Sequence, residues 1–148
     1  MPVEHKVVLK ITRKFSAQAE RVYDAFLNPE MARQFLFATP NGRMVKAEID
    51  ARVGGKFTFT DVRGGQEVVH TGEYLELVRP TRIVFTFGIP TWSDRVMKVS
   101  IDIAPLKKGC ELTLVHEGVV PEFKDRTEEG WVKMLENWAH LVEKNRDE

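Results

Sequence analysis

Near the N-terminus Val7, Leu9 and Ile11 alternate with Val8, Lys10 and Thr12. Period two with one apolar face predicts a strand. The pattern breaks at Ser16, a good N-cap for a helix in which Val22, Tyr23, Phe26 and Leu27 recur at helical spacing. Asn28-Pro29 ends that helix and opens a second short one, to about Phe37, with Asn28 as cap and Pro29 in the first turn. Thr39-Pro40-Asn41-Gly42 reads as a loop.

Strand patterns then follow one another. Val45, Ala47 and Ile49 share a face, as do Phe57 and Phe59; Val68 to Val78 is a long strand; Ile83, Phe85 and Phe87, then Met97, Val99, Ile101 and Ile103, then Leu112, Leu114 and His116 each line one side. Val53-Gly54-Gly55, Arg63-Gly64-Gly65-Gln66, Arg79-Pro80-Thr81, Gly88-Ile89-Pro90-Thr91 and Lys107-Lys108-Gly109 turn the chain between them. Gaps this short favour antiparallel pairing, and about seven strands result. The chain closes in a long helix, capped by Asp125 or Thr127. Its apolar stripe is Trp131, Met134, Leu135, Trp138, Leu141 and Val142, with Lys133, Glu136, Asn137, Glu143 and Lys144 opposite. A sheet with one polar face must cover the other, and this helix is the largest apolar surface available. The expected fold is α+β: a curved antiparallel sheet around the C-terminal helix, two short helices after the first strand, and a single domain over residues 1–148.

Composition narrows the partners. Lys and Arg balance Asp and Glu at 22 each, so no basic excess points to nucleic acid. No apolar run is long enough to span a bilayer. Cys110 is the single cysteine and has no internal disulfide partner. With no apolar leader at Met1–Lys6, a cytoplasmic location is expected.

Four segments carry a resemblance. They are Phe15-Ser16-Ala17 with Val22-Tyr23-Asp24-Ala25-Phe26 and Asn28-Pro29-Glu30; Asp50-Ala51-Arg52-Val53-Gly54-Gly55-Lys56-Phe57; Gly72-Glu73-Tyr74-Leu75-Glu76-Leu77 with Pro80 and Ile83 to Phe87; and Leu112 to Gly118 with Gly130-Trp131 and Leu135. Their order resembles the helix-grip fold of START-like and birch-pollen-allergen-like (SRPBCC) proteins. Their wording resembles the branch named for its likeness to the activator of heat-shock-protein-90 ATPase. Phe35 and Phe87 depart from that branch, which often has tryptophan there. The resemblance implies an internal cavity for a small hydrophobic or aromatic ligand. Its name implies a chaperone partner and a link to stress response as the alternative. The fold hosts several functions and does not choose among them.

The residues expected to line such a cavity are Phe57, Tyr74, Phe85, Phe87, Val99, Leu114, His116, Trp131, Leu135 and Trp138. His116 shares strand parity with Leu112 and Leu114, so it is either a polar anchor, a general acid–base of a cyclase- or hydrolase-type cavity enzyme, or a hydrogen-bonded core histidine. The last is the plainer reading, with a pKa lowered by burial. Cys110 lies about 20 Å away along the strand, too far to pair with it, and reads as a filler at the strand end near solvent. Glu73 or Tyr74 faces inward; a bulge near Gly72 would select the tyrosine. Trp92, Ile89, Val119, Val120 and Phe123 form either a cavity rim, a dimer contact or ordinary loop packing, so monomer and homodimer both stay open. Val53-Gly54-Gly55-Lys56-Phe57 lacks phosphate-loop spacing, and His5, His70, His116 and His140 lack metal-ligand spacing. No cofactor or metal is expected, and no motif proves a chemistry.

Overall fold

Alternating side chains between glycine-rich turns give seven antiparallel strands in the order β1-β7-β6-β5-β4-β3-β2. They are β1 (Val7–Phe15), β2 (Arg43–Ile49), β3 (Lys56–Arg63), β4 (Gln66–Val78), β5 (Arg82–Phe87), β6 (Met97–Pro105) and β7 (Cys110–Val119). The helices are α1 (Ala19–Leu27), α2 (Pro29–Ala32) and α3 (Lys124–Glu143), the last preceded by a 3-10 turn, Pro121–Phe123. The structure is a computed structural model that describes residues 7–37 and 41–143. This is the expected helix-grip arrangement.

The inner row of the sheet buries Leu9, Phe15, Phe57, Phe59, Ile83, Phe85, Val99, Ile101, Leu112 and Leu114. The α3 stripe meets it with Trp131, Leu135, Trp138 and Val142. α1 adds Val22, Tyr23 and Phe26, and the turns after α2 add Phe35, Leu36 and Phe37. Leu135 sits mid-stripe at 1% exposure. Leu135→Ala is expected to lower the urea-unfolding free energy by about 2–5 kcal/mol; a loss under about 1 kcal/mol would mean that the stripe is not core.

Some boundaries differ from the pattern. Asn28 does cap α2, its Oδ1 accepting from the N–H groups of Glu30 (2.9 Å) and Met31 (3.2 Å). Ser16 is not the N-cap of α1, which starts at Ala19 behind Gln18. The Ser16 N–H instead donates to the Glu143 carboxylate at 2.7 Å, joining the end of β1 to the end of α3. α2 stops at Ala32 rather than Phe37, and Phe37 has φ 59°, which cannot continue a right-handed helix. α3 begins at Lys124 rather than after Asp125 or Thr127, because the Pro121 turn feeds directly into it. Thr39, Pro40 and Lys144 lie outside the described residues.

Besides a register shift between Val7 and Val8 at the start of β1, two bulges reset strand parity. One between Met44 and Lys46 turns Val45 outward, at 46% exposure, and packs Met44 against the core. This corrects the shared face expected of Val45, Ala47 and Ile49. The other, between Tyr74 and Glu76, lets Tyr74 and Leu77 both reach the core although they stand three positions apart, an offset that regular alternation would put on opposite faces. Tyr74, not Glu73, is the buried one. Gly72 serves a different purpose from a bulge. A Cβ there would meet the Thr86 carbonyl at 1.9 Å and the Phe57 ring at 2.4 Å, so glycine is what lets Phe57 lie against β4.

Candidate functional site

The alternation that buries Phe57 and Phe59 continues along β3 to Asp61 and Arg63, which bring charge to the end of an aromatic row. Asp61 is 1% exposed and Arg63 donates to its carboxylate through Nε at 2.9 Å. His70 of β4, Phe87 of β5 and Trp131 of α3 pack around Phe37, and the buried His116 of β7 lies behind them against Phe87 and Trp131.

Phe37 fills the middle. Its ring lies parallel to His70 (centroids 4.6 Å, 9°), Phe87 (4.8 Å, 7°) and Phe57 (6.1 Å, 16°). It meets Phe59 and Trp131 edge-on at 5.7 and 6.2 Å. Its backbone is held at both ends: the N–H donates to Met134 Sδ (3.1 Å) and the carbonyl accepts from Arg63 Nη2 (3.0 Å). The Arg63 guanidinium lies 5.9 Å from the Trp92 ring centroid.

Both buried histidines are neutral, and their partners assign the tautomers. His70 Nδ1–H donates to the Phe59 carbonyl at 3.2 Å, which leaves the Nε2 lone pair facing Arg63 Nη2 at 3.5 Å. Burial lowers its pKa to about 4. Trp131 Nε1–H donates to His116 Nδ1 at 2.8 Å, so His116 carries its proton on Nε2, 3.2 Å from Met97 Sδ. Burial lowers its pKa to about 4 as well. The lone pair that a general base would use is therefore occupied by an indole N–H.

All ten residues expected to line the site are buried, but they form more than one group. Phe57, Phe87 and Trp131 pack on Phe37, and His116 packs on Phe87 and Trp131. Trp138 belongs to a second cluster with Phe15, Phe26 and Phe35, where it donates Nε1–H to the Val22 carbonyl. Phe85 links the two through Phe26 and Phe57, and Tyr74 packs against Phe57 and Phe85. Val99, Leu114 and Leu135 are apolar wall. Cys110 is fully buried rather than near solvent, and burial pushes its thiol up to about 11. Val119 is buried, Ile89 packs on the core, and Trp92 and Phe123 are exposed.

Phe37, Asp61, Arg63 and His70 were not among the expected site residues. Period two from Phe57 could have found Asp61 and Arg63. Nothing local points to Phe37, whose position depends on the turns after α2. One open cleft, of about 440 Å³, lies elsewhere; it is polar and bounded by Arg13, Glu136, Asn137, His140 and Glu143. We place the site at Phe37 because the aromatic and polar groups converge there, whereas that cleft offers little apolar wall. Among the described residues no cluster of His, Cys, Asp or Glu could hold a metal, and no helix is long and apolar enough to cross a membrane.

The family model described as Activator of Hsp90 ATPase homolog 1-like protein matches residues 16–143. The chain belongs to this family. Among solved structures, the protein CV1439 of Chromobacterium violaceum is 34% identical, with 92% of this chain and 96% of that one covered at a TM-score of 0.84. An AHSA1-like protein of Aeromonas hydrophila is 20% identical, with 93% of each chain covered at 0.79, and shows the same fold. A Staphylococcus aureus protein at 19% identity does so too, with 97% and 98% covered at 0.86. Comparison with curated proteins gives no match. In this AHSA1-like chain Phe35 stacks on Trp138 at 5.0 Å and Phe87 lies parallel to Phe37.

Proposed function

We propose that the chain binds a small, largely apolar aromatic molecule between the sheet and α3, in the space that Phe37 fills here. The observation that carries this reading is the state of Phe37 itself. Its ring sits among stacked aromatic partners, yet its backbone is the positive-φ non-glycine position among the described residues. A phenylalanine in that conformation costs on the order of 1–3 kcal/mol, met by packing and by its two backbone hydrogen bonds. A competing ring can supply the same packing without the strain. The surrounding groups suit it: apolar walls, two neutral imidazoles and an indole. Burial contributes roughly 25 cal/mol per Å² of apolar area. The apparent affinity is reduced by the fraction of molecules in which Phe37 still holds the space. The chaperone-associated alternative rests on the family's name alone.

The test is a fluorescence titration with small aromatic and polycyclic probes in a Trp92→Phe background, so that the exposed indole does not report. A saturable change is expected, abolished by a further Trp131→Phe and retained with Trp138→Phe. Phe37→Ala empties a space of the kind that holds benzene in an engineered core. It should tighten binding by about tenfold or more by removing the internal competitor. No probe binding below millimolar concentration to either protein, or no tightening with Phe37→Ala, would overturn the reading.

A further inference from the structure

Phe37 presents to its surroundings an aryl ring and, at one end, a carbonyl oxygen that accepts from Arg63 Nη2 at 3.0 Å. When Phe37 leaves, both leave, and a partly buried guanidinium loses an acceptor. Arg63 retains Asp61 at 2.9 Å through Nε, but Asp61 cannot replace the bond that Nη2 made. A buried donor without its acceptor is unfavourable, so an incoming molecule that returns an oxygen at that point is preferred over one that does not. The charge around the point decides which oxygen. The Arg63 cation is paired with the Asp61 anion, and His70, facing Nη2 with a lone pair, is neutral. The end of the site is thus close to electroneutral. A carboxylate ligand would be desolvated there without a free positive charge to meet it, whereas a neutral carbonyl would not suffer that penalty.

We infer that Phe37 is a built-in surrogate for the ligand, and that Arg63 selects a neutral aromatic carbonyl compound: a ring stacked on His70 and Phe87, with its oxygen taking the hydrogen bond now made to Phe37. This deepens the proposed binding function and rests on it. Arg63 has two roles with opposite consequences. It latches Phe37 in place, which opposes any ligand, and it rewards only a ligand that carries an acceptor.

Acetophenone and isopropylbenzene separate these roles, because they match in shape and differ in a carbonyl oxygen against a methyl group. Desolvation alone favours isopropylbenzene. In the natural chain acetophenone is nevertheless expected to bind about tenfold more tightly, one charge-assisted hydrogen bond being enough for that ratio. Arg63→Met alone leaves a carboxylate buried without its guanidinium, so the variant to use is Asp61→Asn with Arg63→Met. There the preference is expected to vanish or invert, with isopropylbenzene bound as tightly as before or more so because the latch is gone. A purely structural role for Arg63 would weaken both probes together. A second measurement needs no variant: the Arg63 guanidinium ¹H–¹⁵N signals of the natural chain should stay near their hydrogen-bonded positions with acetophenone, whose oxygen replaces the Phe37 carbonyl, and shift with isopropylbenzene, which leaves Nη2 without that acceptor. If isopropylbenzene binds as well as acetophenone, or if the two probes leave the Arg63 signals at the same positions, the inference is overturned while aromatic binding stands. Benzoate binding more tightly than acetophenone overturns the neutral class. If neither neutral probe binds, the binding function itself falls.

Discussion

Acidification from pH 7 to pH 4 is expected to remove on the order of 6 kcal/mol of folding stability, about 3 kcal/mol for each of His70 and His116. Burial lowers both side chains from the ordinary value of 6.5 to about 4. In the unfolded chain both protonate near pH 6.5, whereas in the native chain neither does until about pH 4. Between those values the unfolded state binds more protons, so stability rises with pH. The contribution is fully present above about pH 6.5 and is lost progressively toward pH 4. The surroundings explain why no charge rescues the imidazolium. His116 is enclosed by Trp131, Met97 and Phe87, and His70 faces an Arg63–Asp61 pair whose charges offset one another. Urea unfolding across this pH range measures the slope, and His116→Gln, which keeps an acceptor for the indole, should remove about half of it. NMR detection of a protonated His116 imidazolium at pH 6 would sink the argument.

Trp138→Ala is expected to cost about 5 kcal/mol, the upper end for a large core truncation. The indole packs at 5.0 Å from both Phe26 and Phe35 and at 5.5 Å from Phe15, so its removal unsupports rings from β1, α1 and the turn after α2 together. It also strips the Val22 carbonyl of the Nε1–H that reaches it at 3.2 Å. Trp138→Phe keeps most of the packing and loses that bond, for about 1–2 kcal/mol. Urea unfolding of both variants separates the two contributions. A Trp138→Ala loss as small as that of the phenylalanine variant would mean that the cluster collapses into the space. Neither change touches the groups around Phe37, so probe binding by Trp138→Phe should match that of the natural chain.

The functional consequence of this division is that α3 has two distinct halves. Its second half, through Trp138, anchors α1 and α2 to the sheet. Its first half, through Trp131 and Met134, holds His116 in one tautomer and Phe37 in a strained backbone conformation. A ligand entering at Phe37 would thus disturb the first half while the second keeps the domain folded.

The sequence by itself determined the strand count, the antiparallel pairing of consecutive strands and the helix that covers the sheet. Each of these depends on periodicity and turn residues within a short stretch: Val99, Ile101 and Ile103 alternate on any backbone that is extended, and Trp131, Leu135 and Trp138 share a face on any backbone that is helical. The same local logic placed His116 inside and lowered its pKa. Parity reasoning failed at Val45 and was undecided at Tyr74, because a bulge inserts one residue without a change in composition. What only the tertiary structure decided was the content of the space between sheet and helix. Phe37 lies in no regular element, and what brings its ring onto His70 and Phe87 is packing from three separate strands and α3. Arg63 reads as a turn residue in the sequence, and only the fold extends β3 to it and brings His70 and the Phe37 carbonyl beside it. Contacts between residues distant in the chain carry no local period, so the filled site, its polar end and the strain stored at Phe37 exist only in the folded protein.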